Sequence, residues 1–336
     1  KAPPWALATH RLAPNAPITR TPFQRIPNVP FSPRLRRRIR QLHRWIALAF
    51  SLPLLILALT GFLLSFEPLL NSMSRGTDSL TATRSIELLQ SVDPQGKAKT
   101  VTHRGYEGTL EVAGPGLRPM VLDIETGEVT QHDLIARTFI LSRQIHKAFV
   151  GDLSWLVLIS TIAMGVLIVL GLLMGWPRRA NTVSGWHRVG AWIGMPLLAI
   201  TTVTGVLMSF GVTMGGGGAA PMTMGRLNEP MSMVQAVQAV EAQQDLSAMA
   251  WIRPAGPRIM MRYAQGDRFQ GYFVTPDEIV AVPRNLPRAI HEGLWSIPLG
   301  LAMNLIVSIL TTGLILTGLI IWLRRRRPAS SLAAYQ

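Results

Sequence analysis

The 336-residue chain contains no cysteine. That absence excludes disulfides, cysteinyl iron–sulfur clusters, thiolate zinc sites and C-x-x-C-H attachment of a c-type haem. Charge is also scarce, at 15% of residues against 48% hydrophobic, a balance that excludes an ordinary soluble domain. Of the two charges the acidic is the scarcer, 18 Asp+Glu against 33 Lys+Arg. No Gly-rich dinucleotide fingerprint, P-loop, H-E-x-x-H or nucleophile elbow occurs, which excludes the commonest cofactor and hydrolase motifs.

What the chain has instead is four long apolar runs. Residues 45–66, 153–177, 189–220 and 293–323 carry no charged side chain, and each exceeds the ~20 residues a helix needs to cross a bilayer. We therefore expect transmembrane segments at 34–67, 146–178, 187–214 and 291–324. The first reads as an anchor, not a cleaved signal peptide, because it starts late and lacks a small-residue cleavage site.

The formal charge of +15 suggests nucleic acid until its distribution is read. Arg34, Arg36, Arg37, Arg38, Arg40 and Arg44 precede the first run; Arg178, Arg179 and Arg188 lie between the second and third; Arg324 to Arg327 follow the fourth. All flank one side, as cytoplasmic ends do, so the basic excess is a topological signal facing membrane lipid, and no nucleic-acid partner is expected. Both termini and the 179–186 loop are then cytoplasmic, and 68–145 and 215–290 are external. A bacterial inner-membrane protein fits, its external face being built without disulfides. Residues 1–33 are proline-rich and aperiodic and read as a cytoplasmic tail, as do residues 325–336.

Each external segment reads as a small α+β unit. In the first, Ser85–Val92 is a helix and Thr100–His103, Thr109–Ala113, Pro119–Ile124 and Glu128–Gln131 are strands, with a turn at Thr126-Gly127. The second repeats that order with helix Val234–Gln243 and strands Ala250–Arg253, Arg258–Ala264, Gln270–Thr275 and Glu278–Val282. The expected fold is an internally duplicated, all-α four-helix membrane bundle carrying two external α+β domains.

The repeat also holds the chemistry. His43-Arg44 and His187-Arg188 lie 144 residues apart, each followed at identical spacing by Thr-Gly (Thr60-Gly61, Thr204-Gly205) and Ser-Phe. Ile145-His146 and Ile290-His291 repeat 145 residues apart, ahead of runs ending in Trp176-Pro177-Arg178-Arg179 and Trp322-Leu323-Arg324-Arg325. Four of only seven histidines thus head the four runs. A lone histidine at a helix end is commonly an interfacial residue, but interfacial preference gives no reason for a symmetric set of four. Neutral imidazole ligates haem iron, and without cysteine a haem is b-type. The ~30 Å hydrocarbon core separates opposite faces, so His43 pairs with His187 on the cytoplasmic side and His146 with His291 outside. Arg44, Arg188 and Lys147 are placed to neutralise haem propionates. Gly190, Ala191 and Gly194 give His187 a smooth helical face on which a porphyrin could lie.

A helix opening with His-Arg, an external Asp123–Val129 turn reading Asp-Ile-Glu-Thr-Gly-Glu-Val, and a helix closed by Trp-Pro-Arg-Arg together resemble the PepSY-associated transmembrane family. The resemblance runs from His43 to Arg327. Its second external turn departs, reading Thr275-Pro276-Asp277-Glu278. The family includes inner-membrane ferric siderophore reductases with two b haems. The resemblance implies electron transfer to an external ferric siderophore, with electrons supplied by a separate cytoplasmic reductase or membrane quinol. Two other readings stand beside it: a membrane-anchored binding or peptidase-regulating module, and a haem-dependent copper or quinone redox protein. The copper reading draws on Met208, Met214, Met222, Met224, Met231 and Met233, soft ligands that otherwise serve as packing or linker residues. Arg253, Arg258, Arg262 and Arg268 accompany Trp251, Tyr263, Phe269, Tyr272 and Phe273, a pattern that fits either half-buried strands or a face for an anionic chelate.

Overall fold

The computed structural model describes residues 32–74, 80–177, 180–214, 231–256 and 258–326. The proline-rich tail, the Arg178-Arg179 pair, Met222, Met224 and Glu229 lie outside these.

Helix α1 (Pro33–Leu64) starts where Ser32 accepts the Leu35 N–H at 3.3 Å and Pro33 takes the first turn. A short α2 (Glu67–Met73) follows. Two further apolar helices, α5 (Ser154–Leu173) and α6 (Val183–Ser209), enclose the loop expected on the cytoplasmic side. The last, α9, spans Ile297–Arg326. The helices α1, α5, α6 and α9 are long and apolar enough to cross a membrane. Both α1 and α6 pack against α5 and α9. On the small-residue face near His187, a Cβ on Gly194 would meet Leu310 Cδ1 of α9 at 2.7 Å, so this glycine lets α6 and α9 approach, while a Cβ on Gly190 would meet only Leu314 at 4.0 Å.

Two further helices correct the expected segment boundaries. His146 belongs to α4 (Leu134–Ala148), and the chain then reverses through Phe149, Gly151 and Asp152, all at positive φ, before α5 begins. His291 ends α8 (Leu286–His291), separated from α9 by Gly293 at φ 71°. Neither histidine heads its membrane helix. The charge-free runs begin only at 153 and 293, and the reversals lie where each run is extended back to its histidine, so 146–178 and 291–324 read as continuous.

Outside the helices, α3 (Ala82–Val92) and α7 (Met233–Glu241) accompany eight strands: β1 Thr100–Arg104, β2 Thr109–Gly114, β3 Leu117–Asp123, β4 Val129–Thr130, β5 Met249–Ala255, β6 Arg258–Gln265, β7 Arg268–Val274 and β8 Ile279–Ala281. The two external segments do not form two domains. Their strands join in one antiparallel sheet, ordered β4-β3-β2-β1-β5-β6-β7-β8, through Val101↔Ile252 and Thr102↔Trp251. Alternation drives the joining: Val101, Val112, Ile252 and Met261 are fully buried on the face covered by α3 and α7, and each such side chain contributes about 1.5–3 kcal/mol. Split apart, the halves would expose this shared core.

The opposite face carries Trp251, Arg253 and Arg262, with Trp251 paired to Arg262. Arg262 reaches Glu292 at 3.4 Å, directing this face toward the end of α8. The β6–β7 tip docks beside it: Ile297 N–H donates to Asp267 O at 2.6 Å, and Ser296 Oγ donates to Asp267 Oδ2 at 2.9 Å.

Candidate functional site

Helix α4 delivers His146 to α1, where its Nδ1 lies 2.9 Å from Thr60 Oγ1. The Thr60 hydroxyl already donates to Ile56 O at 2.8 Å. Its oxygen can therefore only accept, and His146 Nδ1 carries the proton. His291 is held in the same way. Its Nδ1 lies 3.2 Å from Thr204 Oγ1 and 3.2 Å from Thr201 O, a carbonyl that can only accept. Both imidazoles are thus fixed with a bare Nε2 lone pair, the tautomer a metal ligand needs.

The two rings lie with centroids 6.2 Å apart. Two metal–imidazole bonds of about 2.0–2.1 Å in line, plus about 1.1 Å from each nitrogen to its ring centre, require about 6.3 Å. Close helix approach gives the rings their places. A Cβ on Gly61 would sit 3.4 Å from His146 Cε1, and one on Gly205 3.2 Å from His291 Cε1. Asn304 Nδ2 donates to His291 O at 3.2 Å, pinning α8 to α9.

The second pair lies toward the other ends of α1 and α6. His187 Nδ1 is 2.9 Å from Thr317 Oγ1, whose own proton goes to Gly313 O at 2.6 Å. Gly318 flanks this ring as Gly61 and Gly205 flank the others, with a Cβ 3.6 Å from His187 Cε1. His43 lies within electrostatic reach of His187. It breaks the pattern: among the described residues no hydroxyl meets its buried Nδ1, and its polar contact is with the Leu167 backbone. Aligning Trp176 with Trp322 sets Gly171 in the place of Thr317, so the repeat supplies no hydroxyl there.

Thr60 lies 17 positions beyond His43 on α1, and Thr204 lies 17 beyond His187 on α6. At about 1.5 Å per residue the pairs are about 25 Å apart, too far to share an ion. Among the described residues no group of three or more His, Asp or Glu forms a metal site. Two imidazoles without further ligands suit a metal whose other positions come from a macrocycle, so the donor set fits haem better than a bare ion.

The expected propionate partners and the other polar residues have separate places. Arg44 lies over the ring of its neighbour Trp45 at 5.3 Å, and Arg188 Nε donates to Ser184 O at 3.2 Å on its own helix. Lys147 is exposed at the end of α4. His103 is buried, donating from Nδ1 to Met249 O at 2.9 Å across the β1–β5 join. His132 lies 3.0 Å from Glu107, beside the Arg104–Glu111 pair. Glu67 pairs with Arg143. Met233 is buried in the sheet's core, and Met231 packs against it, which takes both from the methionine cluster.

Sequence reasoning gave no role to Thr60, Thr204, Thr317 or their glycines. The signal was present as Thr-Gly at identical spacing.

Comparison with known proteins finds one family, described as the PepSY-associated TM region, matching residues 40–325. No curated protein matches the chain.

Proposed function

This chain belongs to the PepSY-associated TM region family, and from that premise we propose that it carries electrons across the membrane to reduce an external ferric siderophore. The observation that supports this best is the external pair, two imidazoles with Nδ1 protonated and ring centroids 6.2 Å apart. In this reading His43 and His187 hold one b-type haem, and His146 and His291 hold another. Bound there, haem would supply the one-electron chemistry that side chains lack.

The chain's own residues set the conditions. Thr60, Thr204 and Thr317 fix the imidazole tautomer and raise ligand basicity. The apolar helices keep water from the path between the pairs. Arg34–Arg44 and Arg324–Arg326 favour cytoplasmic termini in a bacterial inner membrane, so electrons enter from a cytoplasmic reductase or quinol. One electron converts Fe(III) to Fe(II), which hard oxygen ligands hold less tightly, and iron is released for uptake. The duplicated, four-helix arrangement suits this task, since each pair takes one histidine from either half.

The purified protein is expected to show low-spin b-type bands and two haems per chain. His43→Ala and His146→Ala should each remove one, and the double variant both, while His103→Ala keeps both. Full haem content in the double variant would overturn the proposal.

A further inference from the structure

The bundle-facing side of the sheet meets the ends of α4 and α8 in a junction crowded with cations. Arg143 and Lys147 come from α4, Arg253 and Arg262 from the sheet, and Arg288 from α8, and Arg253 lies within electrostatic reach of the other four. Two carboxylates answer them. Glu67 pairs with Arg143, while Glu292 lies 3.4 Å from both Arg262 and Arg288. Five cations against two carboxylates leave a formal +3, directly above His146 and His291.

Trp251 organises part of this charge. Its ring lies 4.0 Å from the Arg253 guanidinium carbon and 5.1 Å from that of Arg262, so two cations share one aromatic face. Neither Arg253 nor Lys147 has a carboxylate partner among the described residues. Arg253 and Lys147 lie at the exposed edge of the junction and Arg262 is more covered; partial desolvation, then Arg262 and Arg288 nearby, lower the Arg253 guanidinium from its ordinary value, against the opposing pull of Glu292. Gathering like charges in a partly desolvated place costs stability unless an anion joins them. A fold does not need that cost for its own sake, since the other face of the sheet already buries an apolar core against α3 and α7. Guanidinium forks match carboxylates in geometry as well as charge, and the indole offers a flat apolar wall.

We propose that this junction is an anion site, built from Arg253, Arg262 and Lys147 beside Trp251, that receives a polycarboxylate ferric chelate in preference to a neutral or cationic one. That the anion carries iron rests on the function proposed above; that the junction takes carboxylates does not. Carboxylates reach this place from two sources, an external chelate or the propionates of a haem held by the histidines beneath, and the test separates them.

The full-length protein in nanodiscs, loaded with haem, is titrated with gallium(III) citrate, a redox-inert anionic chelate, following tryptophan fluorescence and calorimetry. Binding is expected, weakening as salt rises, and a cationic gallium tris-hydroxamate should bind at least tenfold more weakly. Arg253→Gln should weaken citrate binding about tenfold and Arg253→Glu further, with the haem-to-protein ratio unchanged. Absence of binding, equal binding of the cationic chelate, or no effect of Arg253→Gln would each overturn the proposal. So would haem loss in step with binding, which assigns these cations to propionates. Because gallium accepts no electron, a negative result leaves the histidine reading to its own spectroscopic test.

Discussion

A threonine hydroxyl has one proton to give, and at three of the four paired histidines it is already given to the helix backbone. What remains is an acceptor aimed at imidazole Nδ1. Thr60→Val keeps the shape and removes that acceptor. Loss of such an outer partner costs about 10–100-fold in metal affinity, so the external site should retain haem that much more weakly, measured by titrating haem into the apo-protein. Thr311→Val, whose hydroxyl only back-bonds Val307 O at 2.8 Å, should leave affinity unchanged. The histidines and their pairing were legible as a repeat. The threonines' role was not, because Thr60 and His146 lie 86 positions apart and their meeting depends on where α4 folds.

At the scale of elements, the elbows before α5 and α9 decide the external pair. Gly293 and Gly300 touch across the second elbow, and a Cβ on Gly300 would lie 2.1 Å from Gly293 O. The backbone on both sides leaves little room to yield. Overpacking of this kind costs about 1–3 kcal/mol, and Gly300→Ala should displace α8 and with it His291. A pyridine haemochrome assay should then fall from two haems per chain to one, with the His43–His187 pair intact. The strands were largely legible from alternation: β1, β2 and β6 begin at the residues that pattern predicts, Thr100, Thr109 and Arg258. The elbows were not. Single glycines, Gly151 and Gly293, mark them, and Phe149 at positive φ gives no turn signal of its own, so nothing in the local pattern separates an elbow from a continuing helix.

At the scale of the whole molecule, neither half has a complete pair. Produced separately, residues 32–177 and 180–326 should each lack b-type absorbance, and co-expression should restore it, read from haem per protein after co-purification. The sequence suggested two outer domains because strand patterns are local, whereas β1 meets β5 across about 150 intervening residues through side chains that look alike on any core-facing strand. That meeting is brief. Two four-stranded leaves are welded at Val101↔Ile252 and Thr102↔Trp251, while β6 and β7 register over seven positions. A short weld is the first line to open when a sheet breathes, since each leaf keeps its own hairpins when it parts. Amides around Val101 and Ile252 should exchange with deuterium before those of β6 and β7. Trp251 belongs to the weld and to the cation cluster at once, so an anion settling against its ring would clasp the leaves together and slow that exchange.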